Sequence, residues 1–485
     1  MTIIIKETTK HDLNNIMTLW NCPEVMLYVG FPEGLNISKQ EIEHWFERLS
    51  QSKSEKHFSI YTNQTYCGET FYRLLNDGSC EVDIKLLPHA RGKSIASYAL
   101  SHTLSCVLFE HTVAFAKVDP HPDNQAAITL YERLGFYKVE GSERDMHVTL
   151  QAFKPSKRYV EDFVSLKRIP LDDYPRLWEI SQKASWYPYC DTNAPYFYEY
   201  TPLSFSDFLE ENNDREIQGI YFNQTLIGMI NFYWEHKQTR WLEIGLVLYN
   251  HRYWGKGIGT YCLKQKAHEL FTSLEEIQRV GFVTWSGNLG MQRTGDKASF
   301  KKEGVLRNVR YYEGTYYDSV RYGMTKDEWN AFNKASNASR VYDSSQKQVL
   351  CDTLLRKNPH HFGIESSIIE YVNDVVSDVV FSTPNSDGFI SLKHVSETTL
   401  EINVMALDPA IHHHGYGTDL INRAIMYGRE HGYHYLLVKT LAQTHPDKYY
   451  QRTRLFYEAL GFKKTQLLET LWGIENPCQE YMLDL

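Results

Sequence analysis

A chain of 485 residues is too long for one hydrophobic core, and ordinary domain sizes point to about three units of ~160 residues. Its 42% hydrophobic and 14% aromatic content excludes general disorder, and a formal net charge of −9 argues against nucleic acid as the main partner while mildly favouring cationic acceptors such as amines. Eight scattered cysteines without a CxxC pair read as reduced thiols, Met1–Glu7 turns polar too soon for a secretion signal, and no apolar run approaches the ~18 residues of a membrane span, so a cytoplasmic protein without a membrane partner is expected.

Residues 1–155 read as one α/β unit. Strands are predicted at Thr2–Ile5, His57–Thr62, Glu69–Leu74 and Glu81–Leu87, with helices at His11–Trp20 and Gln40–Leu49. A helix at Ser94–Leu108, a strand at Ala114–Val118, a helix at Asn124–Leu134 and closing strands at Phe136–Val139 and Met146–Phe153 complete it. A polar joint is expected at Lys154–Glu161, and a second unit over 162–333. Its aromatic- and proline-rich stretch after Lys183, through Pro202, reads as a substrate-side insertion or a packed surface loop. The strand Leu242–Leu248, the helix Ile258–Phe271 and a helical tail at Thr325–Phe332 follow. Lys334–Arg340 has the composition of a linker. The third unit, 341–485, opens with helices at Ser345–Leu355 and Ile364–Tyr371, then strands at Val376–Ser382, Gly388–His394 and Leu400–Leu407. The loop and helix at His412–Tyr427, a strand at Tyr433–Lys439, a helix at Gln451–Leu460 and a closing pair at Thr465–Trp472 and Glu480–Leu485 end it.

One junction recurs in all three units. Arg91-Gly92-Lys93-Ser94-Ile95-Ala96, Trp254-Gly255-Lys256-Gly257-Ile258-Gly259 and His412-His413-His414-Gly415-Tyr416-Gly417 each lie between a strand and a helix. Small residues there let the backbone turn tightly and aim N–H groups at one point, the geometry of an anion site. A phenylalanine opening a strand follows each loop at nearly matched separation: 96 to 136, 259 to 300 and 417 to 462. The chain is a threefold repeat.

The [Arg/Gln]-x-x-Gly-x-[Gly/Ala] loop, followed by Asn…Tyr-Glu-x-Leu-Gly-Phe, resembles the GNAT superfamily of acyl-CoA-dependent N-acetyltransferases. The resemblance covers nearly the whole chain. It implies three tandem domains, each a mixed, mostly antiparallel twisted sheet flanked by helices. The middle copy is similar to the branch that acetylates protein N-termini, ribosomal ones included. The implied co-substrate is acetyl-CoA, with a small-molecule amine as acceptor and no metal.

The resemblance also assigns residues. Tyr131 and Tyr457, each five residues before the phenylalanine, take the place of the acid that meets the leaving thiolate. The middle copy has Gly295 there, with Ala298-Ser299 for Leu-Gly, and is expected to hold coenzyme but to be catalytically weak or dead. Coenzyme contacts are expected from the three loops, including Thr418, and from the preceding strands: Leu246 and Leu248, and Val404, Ala406 and Leu407, where a backbone N–H near Val404–Leu407 would meet the oxyanion. Asn124 and Asn288 match the asparagine beside the pantetheine arm or are helix N-caps, and Tyr450 holds that place in the third copy. Base candidates are Glu81 or Asp83, Glu243 and above all Glu401, which alternation places on one face with Asn403 and Met405. The third copy is the most complete and the first also credible. A non-catalytic acyl-CoA sensor is the other reading, and a protein N-terminal acetyltransferase a third.

Overall fold

Each third of the chain builds a seven-stranded sheet of the same order in the computed structural model, which describes residues 2–182, 202–212, 217–336, 338–445 and 447–485. In the first copy β1 (Ile3–Glu7), β2 (Glu55–Thr62), β3 (Thr65–Leu74), β4 (Cys80–Leu86), β5 (Ala116–Val118), β6 (Tyr137–Lys138) and β7 (Met146–Val148) lie in the order β1-β2-β3-β4-β5-β7-β6. The second has β8 (Val164–Arg168), β9 (Gln218–Phe222), β10 (Thr225–His236), β11 (Trp241–Leu248), β12 (Arg279–Trp285), β13 (Lys301–Tyr312) and β14 (Thr315–Thr325), ordered β8-β9-β10-β11-β12-β14-β13. The third has β15 (Ser339–Val341), β16 (Val379–Ser382), β17 (Gly388–Ser396), β18 (Thr399–Leu407), β19 (Tyr435–Leu441), β20 (Lys463–Leu468) and β21 (Cys478–Asp484), ordered β15-β16-β17-β18-β19-β21-β20. The α/β architecture with a mostly antiparallel sheet stands as expected.

Around these sheets pack α1 (Leu13–Trp20), α2 (Lys39–Gln51), α3 (Ile95–Glu110) and α4 (Gln125–Arg133), then α5 (Lys157–Phe163), α6 (Tyr174–Gln182), α7 (Phe205–Asn212), α8 (Ile258–Ser273) and α9 (Leu289–Lys297). Helices α10 (Lys326–Ser336), α11 (Ser344–Arg356), α12 (Glu365–Asp374), α13 (Tyr416–Glu430) and α14 (Lys448–Ala459) follow. One neighbouring pair per sheet is parallel: β4 with β5, β11 with β12, β18 with β19. A parallel pair needs a crossover, and α3, α8 and α13 supply it directly after the recurrent loops. Among the described residues no helix is long and apolar enough to cross a membrane.

Both joints read from composition differ from the expectation. Lys157–Phe163 is helix α5, capped by the Ser156 side chain, and its Tyr159 and Val160 are buried. Tyr159 meets Tyr98 of α3 and Phe222 of β9, so one apolar cluster runs from the first copy into the second. Polar residues here form the outer face of a short amphipathic helix, which composition alone does not separate from a linker. At the second joint, α10 continues to Ser336 and Ser339–Val341 is the edge strand paired with β16. The stretch from Lys183 to Tyr200 and Thr201, read as an insertion, lies outside the described residues.

Candidate functional site

The parallel pairs part early. β18 and β19 are paired from Thr399/Tyr435 only to Ile402/Val438, after which Asn403–Leu407 has no partner on that side. β4/β5 and β11/β12 likewise pair over two residues each and then separate. The third copy adds a second irregularity. Ser391 faces Val404 and Leu392 faces Ile402, so Asn403 is the extra residue of a β-bulge. Neither β4 against β3 nor the middle of β11 against β10 carries one.

The bulge inverts the alternation of side chains. Before it, Leu400 and Ile402 pack with Leu420, Ile421 and Ala424 of α13; beyond it, Val404 and Ala406 pack with Cys351, Leu354 and Ile368 of α11 and α12. Met405 joins the α13 side. The expectation that Glu401, Asn403 and Met405 share a face is therefore corrected: an inserted residue shifts the period-two pattern by one. Asn403 is pinned by Nδ2 donating to Asp378 at 2.8 Å, and Ser391 Oγ donates to the same carboxylate.

The three glycine-loop junctions have one backbone conformation. Positive φ recurs at alternate positions: Gly92 and Ser94, Gly255 and Gly257, His413 and Gly415. The second of each pair is the helix N-cap, and in none of the three does its side chain accept a first-turn N–H. These N–H groups are left pointing outward at the positive end of a helix, an anion-binding arrangement. The first loop residue braces the turn in every copy by a different side chain. Arg91 Nε donates to the Leu86 carbonyl at 3.3 Å, Trp254 Nε1 to Leu248 at 2.9 Å and His412 Nε2 to Leu407 at 3.2 Å. A Cβ added at Gly415 would meet nothing within 4 Å, so that side of the loop is open.

Loop, bulge and tyrosine meet in the third copy around a cavity of about 890 Å³. Of the expected coenzyme residues, Val404, Ala406, Leu407, His412, His413, Gly415, Gly417 and Thr418 line it; His414 and Tyr416 do not. Tyr457 lines it from α14, only 5% exposed, its ring 5.4 Å from those of Phe456 and Phe462. Burial, then the nearby Tyr371, raises the Tyr457 phenol well above its ordinary pKa, so it is a neutral hydrogen-bond donor at neutral pH. Glu401 is not among the lining residues: its Oε1 accepts from Lys439 Nζ at 2.8 Å, and it is Lys439 that reaches the cavity. Standing outside the cavity with its carboxylate turned to Lys439, Glu401 is poorly placed to reach an acceptor amine, and the geometry weakens its reading as the base.

In the first copy Tyr131 is 4% exposed within the apolar core, its phenol raised well above the ordinary value by burial and then by Asp83 and Asp119. Glu81 lies 3.6 Å from Arg73, and Asp83 is bonded by Lys85. Ser94 holds a left-handed conformation, φ 58°, that costs a non-glycine residue about 1–2 kcal/mol. The middle copy differs more. A Cβ at Gly295 would sit 2.6 Å from Phe282 and 3.0 Å from Tyr322, whose stacked rings occupy the space of the missing tyrosine. Glu243 is fully buried, accepting from Trp241 Nε1 at 2.7 Å and pairing with Arg279 at 3.2 Å. Lys256 turns away from its loop: Nζ donates to the carbonyls of Leu150, Gln151 and Phe153 of the first copy at 2.5, 3.2 and 2.9 Å, and burial lowers its pKa to about 8. Ile258 and Leu248 belong to the core beneath, Leu246 packs against it, and Gly259 has Thr294 3.6 Å from an added Cβ.

Asn124 and Asn288 are N-caps, accepting from Ala127 N–H at 3.2 Å and Met291 N–H at 3.0 Å. The matching cap in the third copy is Asp447, not Tyr450; Tyr450 instead donates to the His361 carbonyl at 2.7 Å. That bond belongs to a wall the sequence reading missed. His360 stacks on Tyr449 at 4.5 Å, His361 meets Tyr450 at 5.2 Å, and Phe362, Tyr371 and Trp472 add rings to the same cavity. The adjacent pairs His360-His361 and Tyr449-Tyr450 were the available signal, but they lie far apart in the chain.

Sequence models described as "Acetyltransferase (GNAT) domain" match residues 2–137 and 164–301, and, with a second model, 368–464. The uncharacterized N-acetyltransferase YoaA of Bacillus subtilis is 33% identical over 21% of this chain and 56% of its own length. The SPbeta prophage-derived uncharacterized N-acetyltransferase YokL of the same organism is 34% identical over 16% of this chain and 43% of its own. The chain thus spans about half the length of the curated relatives it matches. Among solved structures, a spermidine N-acetyltransferase from Vibrio cholerae, bound to CoA and spermine, is 15% identical over 35% of this chain and 99% of its own, with a TM-score of 0.30. The microcin C7 self-immunity acetyltransferase MccE, bound to acetyl-CoA and AMP, is 21% identical over 34% and 94%, with a TM-score of 0.29. With the sequence models falling on all three repeats, the chain belongs to the GNAT acetyltransferase family.

Proposed function

We propose that the third copy transfers the acetyl group of acetyl-CoA to the primary amine of a small molecule, that the first copy is a weaker second centre, and that the middle copy has lost the reaction. The observation that carries this reading is the coincidence, in one cavity, of the outward-facing loop at His412–Thr418, the bulge at Asn403 and the Tyr457 side chain. Each answers one demand of the chemistry. The diphosphate of the co-substrate needs backbone N–H donors, which the loop presents. The pantetheine arm needs an extended backbone free to pair, which Asn403–Leu407 offers once β19 has diverged. The tetrahedral oxyanion needs a preorganised donor, and a bulge exposes backbone N–H groups of this kind.

In the step itself the neutral amine nitrogen bonds to the thioester carbonyl carbon, the carbon–sulfur bond breaks with its electron pair leaving on sulfur as the thiolate, and the nitrogen gives up its surplus proton to solvent water. A free phenol is a weaker acid than a free thiol, by about 2 kcal/mol, and burial of Tyr457 widens the gap. Tyr457 therefore donates a hydrogen bond to the developing thiolate rather than surrendering its proton. The amine must be neutral to attack, which for a lysine-like group costs roughly 4–5 kcal/mol at pH 7. In the middle copy the packing of Phe282 and Tyr322 against Gly295 supports loss of the donor. The test is release of coenzyme A from acetyl-CoA over a panel of amines. Tyr457→Phe should lower turnover at least tenfold with acetyl-CoA affinity nearly intact. An unchanged rate would place the reaction elsewhere in the chain.

A further inference from the structure

The charges around the third-copy cavity say what kind of amine it takes. Among the described residues lining it there is no aspartate and no glutamate, while Lys357, Lys439 and Arg452 and four histidines are present. Carboxylates near its margin are already engaged: Asp408 pairs with Lys357, Glu401 with Lys439 at 2.8 Å, Asp378 accepts from Asn403 and Ser391, and Asp447 caps α14. A polyamine or an aminoglycoside brings further ammonium groups besides the one that reacts. Each would have to leave water for a cleft lined by basic groups and without a free counter-ion, a costly transfer.

The basic side chains are also divided in space. His412 and His413 belong to the anion-binding loop, and Arg452 is on the exposed face of α14. Lys439 is at the other end. It follows Val438, the last residue paired with β18, and so stands at the vertex where the strands part. From Ile402 to Leu407 the free strand spans about 17 Å at ~3.3 Å per residue, which separates this ammonium from the diphosphate end. Its charge serves whatever enters from the acceptor side. The same cavity is lined by Asn403, Thr440 and the rings of Tyr371, Phe362 and Trp472.

We propose that the acceptor is a mono-amine bearing a carboxylate and an aromatic or other apolar body, of the class of apolar α-amino acids, and that Lys439 recognises the carboxylate by exchanging its pairing with Glu401. This rests on the acetyl-transfer reading of the same site.

The full chain is assayed for coenzyme A release with four acceptor arms: L-phenylalanine and L-tryptophan, their carboxamides, spermidine, and kanamycin. Turnover with the free amino acids, at least tenfold slower with the carboxamides and absent with spermidine and kanamycin, is expected. Lys439→Met should raise KM for the amino acid tenfold or more, leave KM for acetyl-CoA unmoved, and be rescued by Lys439→Arg. Equal rates with acid and carboxamide, or turnover confined to spermidine or kanamycin, overturn the acceptor class while leaving the acetyl-transfer reading standing. Acetyl-CoA that fails to bind in isothermal titration overturns that underlying reading, and this proposal with it.

Discussion

The third and middle copies share the turn before the recurrent phenylalanine down to individual hydrogen bonds, yet differ in the bulge and in the side chains around it. Both helices before the recurrent phenylalanine end alike: the Phe462 N–H reaches the Tyr457 carbonyl at 3.1 Å, and the Phe300 N–H reaches that of Gly295 at 2.9 Å. Gly461 and Ser299 hold the same left-handed turn. On this common frame the third copy places a phenol at the cavity, and the middle copy fills that volume with Phe282 and Tyr322. Both loops leave their left-handed glycines open, but the middle loop commits Lys256 and Arg252 to carbonyls of the first copy, with Tyr253 stacked on Phe109 at 4.9 Å, whereas the third loop places His412 and His413 on the cavity. A duplicated scaffold keeps its turns because they set the fold. Its side chains are free to move from catalysis to packing and inter-copy contact.

The strongest way to break this comparison is at the loop. Gly415 has φ 89°, which a β-branched residue does not tolerate, so Gly415→Val should cost at least 100-fold in acetyl-CoA affinity by isothermal titration. The same change at Gly257 should leave the third-copy binding event intact. If it removes that event, the loops do not act separately.

Next in size is the tyrosine position. Gly295→Tyr drives a ring into Phe282 and should destabilise the chain by about 3 kcal/mol in urea unfolding without restoring activity. A tolerated tyrosine with new turnover would mean the middle copy lacks only its acid.

The contact among the copies gives a comparable effect with a pH signature. Glu430, at the end of α13, pairs with Lys157 at 2.9 Å and Lys264 at 3.2 Å, from the first joint and from α8. Burial opposes its ionisation, but Lys264, Lys157 and Arg423 outweigh that and bring its pKa to about 2, against 4.5 unperturbed. A depressed carboxyl contributes stability that is complete above its unfolded pKa and is lost as pH falls toward the folded one. The contribution is on the order of 3 kcal/mol, present above about pH 4.5 and gone near pH 2. Glu430→Gln should flatten the stability profile in that window. A variant as acid-sensitive as the parent contradicts the assignment.

The smallest effect sharpens the first copy against the third. Ser94→Gly relieves a left-handed serine but adds freedom to the unfolded chain, so stability should change by no more than about 1 kcal/mol. Acetyl-CoA affinity of the first copy should rise toward that of the third if the serine is what restrains its loop; titration heats from that site decide.

The repeat, the loops and the tyrosine positions were legible in the sequence because each is a local backbone requirement written in small residues at fixed spacing. The interior of the site was less so. One inserted residue at Asn403 moved Met405 across the sheet from Glu401, and nothing in Glu401-Ile402-Asn403-Val404 announces a bulge, since pairing with Ser391 and Leu392 creates it. Lys439 was invisible for the same reason: its role depends on where β18 and β19 part. The joint at α5 escaped because Tyr159 and Val160 find their apolar neighbours in both flanking copies.

Amide hydrogen exchange of the full chain with and without acetyl-CoA tests the central claim most directly. Slowed exchange across Asn403–Leu407 and His412–Leu420, with His251–Thr260 unchanged or affected far less, is the expected result. Protection confined to His251–Thr260, or none at residues 403–420 under saturating acetyl-CoA, would contradict it.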